Sequence, residues 1–251
     1  MRVKTVLLDL DGTVYRGSEL IDGALEAIHC ISSHGLRLFF FTNNSEKNRQ
    51  QIAGKLNSMG ISCEPSQIVN SGFVATQLIR DRGYRKVYLC GSENLRKEFV
   101  SAGIDLVPEN EADVLIIGMD SGYDFEKMKK ALNAALRSKT IIACNVEKRF
   151  PCGKGQYCPG NGALVASIEY ASGKRVDEIL GKPNSFMFDY ILEQTGNEPG
   201  EILVVGDTYE SDIAMAERCG AQHILIGSND KYEGNSIGSI KDLPNELSRL
   251  I

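Results

Sequence analysis

With 251 residues, 42% of them hydrophobic and 24% charged, the chain has the composition of an ordinary globular protein and can bury the core of one large domain or two modest ones. Its net charge of -5 is spread along the length, and the one basic cluster, RDRGYRK at 80–86, reads as a solvated helix end, so no nucleic-acid partner is expected. No segment has the apolar length of a membrane span and MRVKTVLLDLDG lacks a signal-peptide core, which points to a cytoplasmic protein without a membrane partner; seven irregularly spaced cysteines fit reduced thiols there.

The first apolar run, Val6-Leu7-Leu8, reads as a strand buried on both faces, and it ends in Asp9 and Asp11 with Gly12-Thr13 behind them. Carboxylates crowded at such a strand end repel each other and resist desolvation. A solvated Asp-Gly turn is the plain alternative. Helical spacing follows through Ala24, Leu25, Ile28 and Ile31, then the strand LRLFFF, then Ile52, Leu56 and Met59 at helical spacing again. Later strands are expected at 86–90, 113–118, 140–144, 201–206 and 223–227, and helices over 92–102, 124–137, 161–172, 184–195 and 210–218. Glycines 35, 60, 103, 196 and 220 stand where helices should stop. This βαβα alternation predicts an α/β fold with a mostly parallel sheet covered by helices, while no linker marks a domain boundary.

In open α/β sheets, ligands bind beyond the carboxyl ends of the strands, which makes the residues after each strand the ones to inspect. The first strand delivers Asp9 and Asp11; LRLFFF delivers Thr42-Asn43-Asn44-Ser45; Ile179-Leu180 delivers Gly181-Lys182-Pro183; the strand at 201–205 delivers Gly206-Asp207, with Asp212 a turn later; TIIAC ends in Asn145. Each alone has an ordinary reading as a helix cap, a turn or a strand exit. Of these, three carboxylates that could converge, with a lysine and a hydroxyl, suit a hard cation such as Mg²⁺ and a phosphate. Gly12, without a Cβ, lets the backbone turn and approach a ligand closely. Cys152 and Cys158 in CGKGQYC could pair or bind a metal, but there is no matching second pair.

DLDGT at 9–13, the Thr of FTNN at 41–44, the Lys of GKP at 181–183 and GDTYESD at 206–212 resemble the four ordered motifs of the haloacid dehalogenase superfamily. The long insert between the second and third motifs, with PGNGALVASIE at 159–169, is similar to the NagD-like and p-nitrophenylphosphatase-like branch, and the resemblance covers the whole chain. It implies a doubly wound, Rossmann-like parallel core in two pieces, 1–70 and 179–251, around an inserted α/β cap at 71–178. It further implies a phosphatase for a small phosphate ester, with Asp9 as nucleophile forming an aspartyl phosphate and Asp11 as general acid and base. Gly12, Thr42, Asn43, Asn44 and Lys182 would surround the phosphoryl group. Mg²⁺ would be held by Asp9, the Asp11 carbonyl and Asp207, with Asp212 behind them. Many relatives have Asn-Pro-Asp where this chain has Asn145-Val146-Glu147, so Asn145, Glu147 and Arg149 become candidates to meet the leaving group; a solvated charged loop is the alternative. A homodimer through the cap is left open, as is the substrate among sugar phosphates, nucleoside monophosphates, phosphoglycolate and pyridoxal phosphate. A phosphotransferase or mutase would share the intermediate. A receiver-like phospho-acceptor would share the Mg²⁺-bound aspartate, but has little use for Asp11 or for an insert of about one hundred residues.

Overall fold

The computed structural model describes residues 2–153 and 155–251. The chain falls into two compact units, one made of Met1–Thr42, Gln50–Val69 and Lys182–Ile251, the other of Asn43–Arg49 and Asn70–Gly181. In chain order the elements are β1 (Thr5–Asp9), the short pair β2 (Tyr15–Arg16) and β3 (Glu19–Leu20), α1 (Ala24–Ser33), β4 (Arg37–Thr42), α2 (Arg49–Ser58) and β5 (Ile68–Asn70). Then come α3 (Ser71–Asp81), β6 (Val87–Cys90), α4 (Glu93–Ser101), β7 (Val114–Ile117), α5 (Phe125–Arg137), β8 (Thr140–Ala143), the pair β9 (Arg149–Gly153) and β10 (Gln156–Pro159), α6 (Asn161–Ser172) and β11 (Glu178–Ile179). The chain closes with α7 (Phe186–Thr195), β12 (Ile202–Gly206), α8 (Ala214–Cys219), β13 (Gln222–Ile226), β14 (Ser236–Ile237) and α9 (Leu243–Leu250). Among the described residues no helix is long and apolar enough to cross a membrane.

The first unit is built on a six-stranded sheet in the order β14-β13-β12-β1-β4-β5, parallel from β14 through β4. From β1 the chain winds outward through β4 and β5, and from β12 it winds outward the other way. The order therefore reverses between β1 and β12, and the carboxyl ends of that pair form the switch point where α/β sheets bind ligands. β1 is buried at all five positions, as expected of a central parallel strand without alternation. Val6, Leu8, Leu203 and Val205 pack with Ala24, Ala27 and Ile31 of α1 and with Leu243 and Leu247 of α9. Leu7 and Val204, one residue out of phase, are equally buried, so both faces of the sheet are covered. Each such aliphatic side chain contributes about 1.5–3 kcal/mol on burial, and the summed effect holds the strand ends still.

The second unit has its own four-stranded parallel sheet, β11-β8-β7-β6. Leu115 and Ile117 of β7 meet Ala131, Ala134 and Ala135 of α5 and Leu164, Val165 and Ile168 of α6. Its helices begin on side-chain caps: Asn70 accepts from the Phe73 N–H, Ser92 from Leu95 and Asp124 from Lys127, each worth about 1 kcal/mol.

Several elements depart from the sequence-based expectation, among them β5, β14 and α9, where no element was expected. α3 was not anticipated, because Ser71 through Thr76 are all buried and the helical period is blurred. The stretch 149–159, where no strand was expected, is the antiparallel pair β9–β10. The helix expected from 210 begins only at Ala214; a wide π-type turn over Tyr209–Ile213 precedes it. Residues 43–49, placed by the sequence reading with the first piece, cluster with the second unit. Arg49 explains this: its Nε lies 2.9 Å from Glu98 Oε1, its backbone N–H donates to Glu98 Oε2 at 3.0 Å, and its guanidinium lies 3.6 Å over the Phe73 ring.

Candidate active site

Because Leu8 pairs with Val205, Asp9 at the end of β1 and Gly206-Asp207 at the end of β12 emerge side by side. Lys182 joins them, its Nζ 2.5 Å from Asp9 Oδ1 and 2.6 Å from Asp212 Oδ1, all three side chains being more than nine-tenths buried. The ammonium also lies 4.1 Å above the ring of Phe41 in β4. Carboxylate oxygens of Asp9, Asp207 and Asp212 all come within 4.8 Å of one another.

Two glycines make this crowding feasible. At Gly12, with φ of +96°, a Cβ would sit 2.1 Å from Asp207 Oδ2. At Gly206 it would sit 2.3 Å from Asp212 Oδ2. The wide turn ahead of α8 returns Asp212 to the end of β12, where the Thr208 N–H donates to its Oδ2 at 3.1 Å and the Ser211 hydroxyl to its Oδ1 at 3.3 Å. Such π-type turns are rare and recur at functional sites.

Burial lifts the Asp9 carboxyl well above the usual carboxylate range; Lys182 pulls it back, and Asp212 and Asp207 push it up again. Burial and Asp212 likewise raise Asp207. For Lys182, burial acts downward but Asp212 and Asp9 outweigh it, so the amine stays protonated with a pKa above that of free lysine. Among the described residues, three carboxylates face one ammonium, which leaves the cluster short of positive charge. An all-oxygen donor set with excess negative charge is what a hard divalent cation takes.

Asp11 lies in a different environment, exposed where Asp9 is buried. The Tyr15 hydroxyl donates to Asp11 Oδ2 at 3.3 Å. Burial, Asp11 and Asp9 all push the Tyr15 phenol far up, so it remains a donor. Thr42 is the buried last residue of β4.

In the second unit, buried Asn43 donates from Nδ2 to Glu147 Oε1 at 2.9 Å, and buried Asn145 donates from Nδ2 to the Asn43 carbonyl at 2.7 Å. Asn44 Oδ1 accepts from the backbone N–H groups of Glu46 and Lys47, both at 3.1 Å, which shapes the loop after Thr42. Arg149 stacks 5.0 Å from the ring of Tyr157 on the β9–β10 pair. Cys152 and Cys158 are both free of disulfides, and their mutual hydrogen bond raises the Cys158 thiol.

Models of two families match in sequence order: haloacid dehalogenase-like hydrolase over residues 6–105 and HAD-hydrolase-like over 179–242. The acid sugar phosphatase of Staphylococcus epidermidis is 31% identical over 88% of this chain and 85% of its own length. The chain belongs to the haloacid dehalogenase-like hydrolases. Among solved structures, the p-nitrophenyl phosphatase from Archaeoglobus fulgidus superposes on this hydrolase with a TM-score of 0.90 at 25% identity, covering 98% of this chain and 100% of the other. The 4-nitrophenylphosphatase from Thermotoga maritima gives 0.90 at 28% identity, covering 98% and 97%. The hydrolase is a phosphatase of the NagD-like, p-nitrophenylphosphatase-like branch, with the inserted α/β unit of that branch.

In this phosphatase Asp9, Lys182, Asp207 and Asp212 lie in one cluster, while the Asp11 side chain pairs with Tyr15. Tyr15 was not singled out by the sequence reading, though its place four residues after Asp11 was visible. Neither were Ser71 and Asn161, whose bonds to Asn43 and Asn145 span 28 and 16 residues.

Proposed function

We propose that this phosphatase hydrolyses small phosphomonoesters through an aspartyl phosphate on Asp9, and that sugar phosphates are the first class to test. The similarity to an acid sugar phosphatase supports the class. The observation that carries the mechanism is the buried Lys182 bridging Asp9 and Asp212: it holds one carboxylate oxygen of Asp9 in place and offsets charge as a phosphoryl group approaches.

In the first step an Asp9 oxygen forms a bond to phosphorus, the bond to the ester oxygen breaks, and Asp11 gives its proton to the leaving alcohol. In the second, Asp11 takes a proton from water, whose oxygen bonds to phosphorus as the Asp9–phosphorus linkage breaks, releasing orthophosphate. Burial of Asp9 against exposure of Asp11 suits this division, since a proton shuttle must reach solvent. Thr42, the Asn43 amide and Asn44, with the backbone at Gly12, hold the phosphoryl oxygens. The Asp9 carboxylate, the Asp11 carbonyl and Asp207, with Asp212 behind, would hold Mg²⁺, which when bound would supply the positive charge that the carboxylates call for. Residues 1–70 and 179–251 act as the catalytic core and 71–178 as the inserted cap.

A phosphate-release screen over sugar phosphates, nucleoside monophosphates, phosphoglycolate and pyridoxal phosphate, with Mg²⁺ and then with EDTA, tests this reading. Release should require the metal and vanish in Asp9→Asn. Full turnover in EDTA, or Asp9→Asn protein with more than a trace of wild-type activity, would overturn it.

A further inference from the structure

The segment Asn145-Val146-Glu147 is bound up with Asn43 in a way that substrate selection does not require. We infer that Glu147, Asn145 and Ser71 are positioning residues for Asn43, so that this segment sets the phosphoryl cradle and does not choose among substrates; the inference rests on the reading that the Asn43 amide holds a phosphoryl oxygen. The Asn43 carbonyl accepts two bonds, from the Ser71 hydroxyl and from Asn145 Nδ2, both at 2.7 Å, and these three residues are at most 4% exposed. The Asn43 side chain donates to Glu147 Oε1 at 2.9 Å, and the Glu147 N–H donates to Asn145 Oδ1 at 3.2 Å. Asn43, Asn145 and Glu147 thus form a closed ring. Fixing the Asn43 carbonyl fixes the Asn44 N–H that shares its peptide plane, and with the Asn43 side chain held by a third contact the residue has little freedom to swing its own N–H away from a ligand.

The ring is itself braced by PGNG, the stretch that marks the insert in the sequence. Asn161 Nδ2 donates to the Asn145 carbonyl at 2.8 Å and to the Ile117 carbonyl at 3.2 Å. The Gly162 N–H donates to the Glu147 carbonyl at 2.9 Å and the Gly160 N–H to the Lys148 carbonyl at 3.0 Å. A Cβ at Gly160 would stand 2.2 Å from the Glu147 oxygen, and one at Gly162 would stand 2.5 Å from the Val146 oxygen. Both glycines are therefore required by backbone packing against residues 146–148. The start of α6 holds the loop, the loop holds Asn43, and Asn43 follows Thr42 in the chain.

A residue that selects substrates changes its effect from ester to ester, whereas one that positions the cradle changes all of them alike. The experiment measures kcat/KM for p-nitrophenyl phosphate and for several sugar phosphates, the inhibition constant of inorganic phosphate, and Tm, in Glu147→Ala, Glu147→Gln, Ser71→Ala and Arg149→Ala. Glu147→Ala should lose on the order of tenfold in kcat/KM on every ester and weaken phosphate inhibition by a similar factor. Glu147→Gln keeps an oxygen that accepts from Asn43 and should recover most of this. Ser71→Ala, which removes one donor, should fall uniformly as well. Losses in Glu147→Ala that differ from ester to ester, an unchanged phosphate inhibition, or no rescue by Gln at matched Tm would overturn the inference. Asp9→Asn, assayed alongside, separates the two failures: activity in that variant sinks the mechanism, whereas an inactive Asp9→Asn with a non-uniform Glu147→Ala sinks the positioning role alone.

Discussion

Lys182→Met removes the cation that bridges Asp9 and Asp212 and keeps much of the side chain's length. In the native protein Nζ is 2.5 Å from Asp9 and 2.6 Å from Asp212, with no side chain of the three more than 8% exposed. Removing one partner of a buried ion pair costs about 3–5 kcal/mol, because the other charge is left uncompensated, and here two carboxylates are left. For a chain of this size 1 kcal/mol corresponds to roughly 2–4 °C in Tm, so a fall of roughly 6–20 °C is expected. The loss should depend on pH. Asp9 has a folded pKa above its unfolded one, and such a carboxyl contributes stability that is whole below the unfolded pKa and lost as pH rises through the folded value. Lys182, also raised, contributes stability fully present below its unfolded pKa, so in the wild type it is in force across the acid and neutral range. Without it the folded pKa of Asp9 climbs further, and the deficit of the variant should be small at about pH 4 and grow toward about pH 8. Thermal unfolding followed by circular dichroism in EDTA, at several pH values, measures it. A deficit below about 1 kcal/mol, or one that shrinks as pH rises, would refute the argument that Lys182 balances these charges.

Asp11→Asn should slow hydrolysis of alkyl phosphates far more than that of p-nitrophenyl phosphate, whose phenolate leaves with little protonation; equal losses on both in a steady-state assay would remove Asp11 from the acid's role. Gly12→Ala places a Cβ 2.1 Å from Asp207 Oδ2 at a φ of +96°, costing about 2–5 kcal/mol from backbone strain and overpacking together. It should also raise the Mg²⁺ concentration needed for half-maximal activity, and a variant with wild-type Tm and metal dependence would show that Asp207 does not sit against this turn.

The strands were legible where burial is two-sided: Val6-Leu7-Leu8, Leu203-Val204-Val205 and Leu115-Ile116-Ile117 are continuous apolar runs, and all nine residues are buried in β1, β12 and β7. Asp207 was visible for the same reason, since it follows such a run at the end where parallel sheets bind ligands, whereas Lys182 follows only the short, half-buried β11 and was visible by its motif. α3 was not, because Ser71 and Thr76 are buried polar residues that erase the helical stripe. β9 was not either; Arg149-Phe150-Pro151-Cys152-Gly153 carries a proline and a glycine that argue against a central strand, and it survives as half of an isolated two-stranded pair. The bond from Asn43 to Glu147 joins residues 104 apart in the chain, and nothing local announces it.

The pairing of Thr5 through Leu8 with Ile202 through Val205 also governs how the protein is made. By the time the ribosome has passed Gly181, every residue of the inserted unit has been synthesised, whereas β1 and β4 still lack β12, the neighbour that completes the centre of their sheet. At about 5–20 residues per second, the interval from Gly181 to Gly206 is roughly 1–5 s. The inserted unit can acquire a native core first, while two nascent strands rich in Leu and Phe wait with a ladder of unpaired amides. Translation speed over that short window, set by codon choice and tRNA supply, therefore fixes how long the growing chain presents an aggregation-prone edge to the cell.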